Sequence, residues 1–226
     1  MIISFHRWVL VFLFVCTSHC AWANDFSKMA FLSIDDIDVT AVLVAPPVKD
    51  SAEWLSDFEE IFRLQKVRSI EDCQRAAKSA ASISLETMFG GEGLLTAQEL
   101  KHWREFFEEK IFIDTGYFMV IAKGLWKRPR PYVSDNKVIP CIKLESSLAY
   151  PSGHAAISWT YARVLSHIYY ERTLAFTKRA LEIGHERILG GVHHPTDIAA
   201  GQKLGEAVFQ KLLINKKFQA ELSRLK

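Results

Sequence analysis

From Ser152 to the C-terminus the chain reads as helix after helix, and that run constrains the fold more than any other feature. Ser152 stands where a helix N-cap belongs, ahead of Ile157, Tyr161, Val164 and Ile168 at intervals of three and four. The pattern predicts a helix over 153–170, a second over about 172–189 halted by Gly190-Gly191, and a third over 195–215. Pro195 falls in the first turn of the third, where a missing N–H is tolerated. Upstream, Thr96 with Glu99 forms a T-x-x-E capping box, and Leu100, Trp103, Phe107 and Ile111 continue it as one apolar stripe towards Lys123. Trp54, Phe58, Ile61, Phe62 and Leu64 mark a helix from Asp50 to about Val67, and Ser69 with Asp72 caps another through about Ile83. Gly90, Gly91 and Gly93 mark a loop, and residues 128–150, with Pro129, Pro131 and Pro140, cannot be continuous helix. Strand-like alternation is scarce. The expected fold is an all-α, single-domain helical bundle.

The first 23 residues carry a different pattern. Arg7 is followed by an unbroken apolar run, Trp8 to Cys16, and Ala21-Trp22-Ala23 places small residues at the two outer positions of a cleavage site. That order predicts a signal peptide cut between Ala23 and Asn24, and a run this short does not comfortably span ~30 Å of hydrocarbon. The expected plan is a signal peptide over 1–23, an irregular N-terminal arm over 24–47 ending in Ala45-Pro46-Pro47, and a helical domain over 48–226. Losing Arg7 removes one of 28 basic side chains against 26 acidic ones. The mature chain is then almost neutral, with no electrostatic footprint for nucleic acid. Its best apolar stretch, His154 to Tyr170, is interrupted by Arg163 and His167, so no membrane span is expected there. Cys16 and Cys20 leave with the signal. Cys73 and Cys141 stay, and an exported compartment permits a disulfide between them, two free buried cysteines being the alternative.

Three short clusters carry chemistry. Lys123 stands seven positions before Arg130-Pro131; Pro151-Ser152-Gly153-His154 opens a predicted helix; Arg187, His193 and Asp197 follow with gaps of five and three residues. A phosphate ester needs the charge on its oxygens matched, and Lys123, Arg130 and Arg187 offer a point charge and two planar forks. The free N–H groups near Gly153 and His154 at a helix N-terminus suit the same anion. Two histidines remain for the chemistry, one neutral to attack phosphorus and one protonated to donate to the leaving oxygen. Asp197 can hold one ring nitrogen of His193 and leave the other to attack, which makes His154 the proton donor. A zinc hydrolase built on His154, His193 and Asp197 is the competing mechanism, but three cations gathered at one place repel a divalent metal.

The clusters resemble K-x6-R-P, P-S-G-H and S-R-x5-H-x3-D, the three-part signature of the type 2 phosphatidic acid phosphatase (PAP2) superfamily, which also includes vanadium-dependent haloperoxidases. The signal-bearing form of the chain around them is similar to the class A bacterial nonspecific acid phosphatases. The resemblance implies a helical fold of the PAP2 and vanadium haloperoxidase type, a phosphohistidine at His193 and His154 as general acid. It implies that Lys123, Arg130, Ser152, Gly153 and Arg187 hold phosphate, with no metal and no cofactor. It also implies small-molecule phosphomonoesters as substrates at mildly acidic pH, phosphate transfer to alcohols as a side activity, and a secreted, periplasmic location. Glu186 departs from the pattern, standing where the family usually has Ser before the arginine. The rival expectations are a lipid or polyprenyl pyrophosphate phosphatase, a haloperoxidase, and a non-catalytic phosphate-binding module; a homo-oligomer is left open. Among the neighbours, His194 is expected at a helix start or on the surface, His185 and Trp126 in structural roles, and Arg128 at the rim.

Overall fold

The computed structural model describes residues 29–91 and 93–226, so the expected signal peptide and the first residues of the arm lie outside the described residues. Every regular element among them is helical. In chain order these are α1 (Val39–Val42), α2 (Ala52–Val67), α3 (Ile70–Ala80), α4 (Leu85–Phe89), α5 (Ala97–Glu105) and α6 (Phe112–Trp126). After them come α7 (Pro131–Ser134), α8 (Gly153–Ile168), α9 (Thr173–Leu189), α10 (Pro195–Ile214) and α11 (Lys216–Leu225). None of these helices is long and apolar enough to cross a membrane.

Helix α8 is the centre of the bundle. Twelve of its sixteen residues are buried, because α9, α10 and α6 all pack on it. The approach to α10 is backbone to backbone. A Cβ on Gly201 would meet the Ser152 carbonyl oxygen at 2.5 Å, and one on Gly205 would meet that of Ala156 at 2.4 Å. Two glycines one turn apart therefore set the spacing between the head of α8 and the head of α10, where two of the three motif clusters reside. The main core fills one side with Phe106, Phe107, Phe118, Tyr161, Phe176 and Leu204. A smaller core, with Phe58, Ile61, Leu64, Ile188, Val192 and Ile198, lies beneath α2 and the end of α9.

The Thr96–Glu99 capping box forms in both directions, with the Glu99 N–H on Thr96 Oγ1 at 3.2 Å and the Thr96 N–H on Glu99 Oε2 at 2.8 Å. The helix it starts runs on through a π turn, Phe106–Ile111, into α6. Phe106, Phe107 and Ile111 of that turn are all buried in the core. The Ser69–Asp72 box also forms, but its helix stops at Ala80 instead of Ile83. Ser84 is the reason: its hydroxyl accepts from the Thr87 N–H and starts α4. Helix α11 follows α10 after the single residue Asn215, which caps it, and is held by buried Phe218 and Leu222.

Two ties fasten the periphery. Asp114 on α6 accepts the N–H groups of Ala30, Phe31 and Leu32 at 2.7–3.1 Å, which docks the described part of the arm. Cys73 on α3 is bonded to Cys141 across 68 residues of chain. Closing a loop of that length restrains the unfolded chain by up to roughly 4 kcal/mol. Urea unfolding of the Cys73→Ser, Cys141→Ser double variant is expected to show a stability loss of about 2–4 kcal/mol.

Candidate active site

The eight motif residues come from five places in the sequence and meet at one end of α8. Lys123 sits in the last turn of α6, after which Lys127 adopts a left-handed conformation (φ 48°) and turns the chain back. Arg130 caps α7, with Pro131 in the first turn. Ser152 caps α8, followed at once by Gly153 and His154. Arg187 lies in the last turn of α9, and His193 and Asp197 straddle the start of α10. All of these side chains are buried. Lys123, Arg130, Gly153 and His154, with Met119, Val120, Glu145 and Ser147, line a cavity of about 90 Å³. A side chain at Gly153 would crowd it, since a Cβ there meets Met119 Sδ at 3.0 Å.

The His193 ring is held on both nitrogens. Nδ1 lies 3.2 Å from Asp197 Oδ2, and Nε2 lies 2.8 Å from Arg130 Nη1. A guanidinium can only donate, so Nε2 carries the lone pair and Nδ1 the proton. The lone pair therefore faces the cations. Asp197 is itself pinned: Oδ2 accepts the His194 N–H at 2.9 Å and His194 Nδ1 lies 3.0 Å away. Its other oxygen, Oδ1, accepts from Arg128 Nη1 at 2.6 Å. The second fork of Arg128 reaches buried Asp57 on α2 at 2.8 Å, and Asp57 Oδ1 accepts the Thr196 N–H at 3.0 Å. Behind His193 there is thus a relay of Asp197, Arg128 and Asp57, all out of water.

The three cations are capped by one loop. Lys123 donates to the Leu148 carbonyl. Arg130 donates to the Ser147 carbonyl and hydroxyl, each at 2.8 Å, and to Glu145 Oε2 at 2.5 Å. Arg187 donates to the other Glu145 oxygen, while its Nε and Nη1 have no hydrogen-bond partner among the described residues. Electrostatics follow from this crowding. Burial, helped by Arg130, pulls Lys123 down to about 7. Burial likewise depresses His193 to about 3, with Arg130 adding to the effect and Asp197 opposing it. His154 is pushed well below its usual value by burial and by Arg187. Burial would raise Asp197 and Glu145, but the histidines and Arg128 hold the first well below the usual carboxylate range. Arg130 and Arg187 do the same for the second.

Some neighbours meet their sequence expectation and others do not. His194 caps α10 as a helix-start residue, yet it is buried, its ring edge-on to Phe58 at 5.3 Å. Arg128, expected at the rim, is buried beneath the site. Glu186 pairs with Arg179 at 3.2 Å, and its charge still favours the protonated form of Arg187. His185 is exposed on the outer face of α9, and Trp126 packs against Tyr150 at 5.3 Å. Asp57 and Glu145 carry no sequence signal beyond the helical stripe beside the first and the two flanking motifs of the second.

Residues 111–217 match the sequence profile of the PAP2 superfamily. The chain belongs to the PAP2 superfamily. Its relatives within and around that family include the non-specific acid phosphatase of Providencia stuartii, 28% identical over 200 residues that make up 84% of this chain and 80% of that one. The non-specific acid phosphatase of Salmonella typhi is 28% identical over 195 residues, 81% and 77% of the two chains. Among solved structures, a bacterial vanadium-dependent iodoperoxidase superposes with a TM-score of 0.59 at 17% identity over 76% of this chain. This PAP2 chain spans about half of that protein, 52%, and shares its helical fold. All three motif clusters, Lys123 to Asp197, fall inside the matched PAP2 region.

Proposed function

We propose that this chain is an acid phosphatase that hydrolyses phosphomonoesters through a phosphohistidine at His193. The observation that carries the proposal is the tautomer of that ring, with its Nε2 lone pair on the side of Arg130 and Lys123. The acid-phosphatase relatives support the substrate class. In the first step Nε2 attacks phosphorus, the P–O bond to the alcohol breaks, and His154 gives its proton to the departing oxygen. In the second a water attacks phosphorus, His154 takes the water's proton, and the P–N bond breaks to release orthophosphate. The two guanidiniums, Lys123 and the N–H groups at the head of α8 stabilise the charge on the equatorial oxygens. Export by the N-terminal 23 residues is part of the proposal, and the Cys73–Cys141 bridge supports it, since disulfides persist in oxidising compartments.

The sign of the pH dependence follows from the site. His193 must be neutral, and its depressed value keeps it so down to about pH 3. His154 must be protonated, which burial and Arg187 oppose in the ligand-free site and a bound phosphate dianion favours. Lys123 loses its charge as pH rises through about 7. Activity is therefore gained as pH falls below 7, with an optimum near about pH 5–6.5. The test is p-nitrophenyl phosphate hydrolysis from pH 4 to 9, with and without EDTA and vanadate. The expected result is EDTA-resistant, vanadate-sensitive turnover peaking below pH 7. An alkaline optimum would overturn the roles given to the histidines, and phosphate binding without turnover would make the chain a binding module.

A further inference from the structure

Glu145 belongs to none of the three motif clusters, yet it stands at the centre of the cations they supply. Its two oxygens are divided between Arg130 and Arg187, one to each guanidinium. A phosphate bound between the same two forks would present two of its oxygens to the same nitrogens. The loop completes the imitation: the Ser147 carbonyl and hydroxyl occupy two further Arg130 donors, and the Leu148 carbonyl occupies Lys123. We infer that Glu145 is a built-in competitor of the substrate, an internal anion that the incoming phosphate must displace from Arg130 and Arg187. The inference rests on the proposed use of those cations for phosphate.

Three observations say that the carboxylate can leave. Lys143, Leu144, Ser146, Ser147 and Leu148 are exposed, so the loop around Glu145 lies outside both cores. Its ends are fixed, at Cys141 by the disulfide and at buried Ala149 and Tyr150, so a departing side chain does not release the fold. The Glu145 backbone is separately held by the Tyr132 hydroxyl, which donates to its carbonyl at 2.6 Å and accepts its N–H at 3.2 Å. Rotation of the Glu145 side chain would free the donors it holds on Arg130 and Arg187, leaving the Ser147 and Leu148 contacts in place. Arg187 meanwhile keeps two buried nitrogens without a partner, so the glutamate satisfies this cluster only in part. A tetrahedral anion with more oxygens satisfies it better, and an anion with one or two oxygens gains nothing over Glu145. The device therefore selects phosphate groups over simple carboxylates and halides. It also keeps three clustered cations from lying buried without a counter-charge when no substrate is bound.

The charged and titratable groups facing Glu145 are Arg130 before α7, Arg187 on α9, His193 before α10 and His154 on α8, with Lys123 on α6 alongside. Lys123 and Arg187 stand on helices packed into the bundle, and Arg130 keeps its bonds to the Ser147 and Val192 carbonyls, so removing the carboxylate leaves the cations held. Titration calorimetry with orthophosphate at pH 6 is the test, on the mature chain with Glu145→Gln and Glu145→Asp. The glutamine variant is expected to bind orthophosphate on the order of tenfold tighter, about 1.4 kcal/mol. Its KM for p-nitrophenyl phosphate should fall with it, and its ligand-free melting temperature should drop. The aspartate variant keeps the charge but is one methylene short of both forks, and it is expected to fall between the two. A general loss of structure cannot raise affinity, so the direction of the change is diagnostic. Unchanged or weaker orthophosphate binding in the folded variants would overturn the inference. A wild-type chain that binds orthophosphate but hydrolyses nothing would instead overturn the proposed activity and leave the competitor role standing.

Discussion

His193→Ala is expected to lower kcat on p-nitrophenyl phosphate by on the order of 10⁴–10⁶-fold, the loss seen when a nucleophile acting as part of a unit is removed. No neighbour can replace it. His194 is next in sequence, but its buried ring packs edge-on against Phe58 of the smaller core. His154 lines the cavity at the head of α8, where the proposal gives it the leaving oxygen. The change takes one hydrogen-bond partner from Arg130 and leaves Lys123, Arg187 and the α8 N-terminus alone, so orthophosphate affinity should stay within about tenfold of wild type. A steady-state assay paired with calorimetry separates the two effects. A variant that kept wild-type turnover would remove His193 from the chemistry.

Arg128→Ala carries the largest expected cost in stability. One guanidinium neutralises two buried carboxylates, Asp57 and Asp197, at 2.8 and 2.6 Å. Removing it strands both, and breaking a buried pair in this way costs about 3–5 kcal/mol. The pH sign is fixed by Asp197, whose carboxyl is held well below its usual value in the fold. A depressed carboxylate contributes stability above its unfolded value and loses it as pH falls through its folded value. In the variant the support from Arg128 is gone, so the deficit should be largest above about pH 4 and shrink below it. Urea denaturation at pH 7 and at pH 3 compares the two regimes. Turnover should fall as well, because Asp197 orients the His193 ring. Arg128→Lys, which keeps the charge but not the fork, should recover part of the stability and little of the turnover.

The helices that carry the motifs were legible because they announce themselves locally. Thr96 with Glu99, Ser152, Gly190-Gly191 and Pro195 each mark a start or stop, and the helices begin and end within a few residues of them. The short and interrupted elements were not. The π turn at Phe106–Ile111 keeps helical chemistry while shifting the face, and α4 and α7 are too short for a period to show. Helix α11 offered Asn215, Phe218 and Leu222 as a cap and a one-turn apolar pair, a signal too brief to separate from the end of α10.

The site divides along similar lines. Lys123, Arg130, Ser152, Gly153, His154, Arg187, His193 and Asp197 were found because their spacings are fixed by the turns that present them. The structure gathers all eight around the head of α8. The residues that hold them come from elsewhere. Asp57 is 71 positions from Arg128 and 139 from Thr196, and only the packing of α2 against α9 and α10 brings it near. Arg128 looked like a loop cation because sequence spacing does not report which way a side chain turns after the left-handed Lys127. Glu145 had no pattern of its own, its place being set by the flanking Cys141 and Ala149–Tyr150 anchors.

The central claim is a covalent phosphohistidine, and the stereochemical course at phosphorus tests it without requiring the intermediate to accumulate. A chiral, oxygen-isotope-labelled thiophosphate monoester would be hydrolysed in isotopically distinct water by the mature chain at pH 6, and the configuration of the released thiophosphate read out. Attack by His193 Nε2 followed by attack by water inverts phosphorus twice, so the account predicts net retention. Net inversion would mean that water attacks phosphorus directly, and would contradict it.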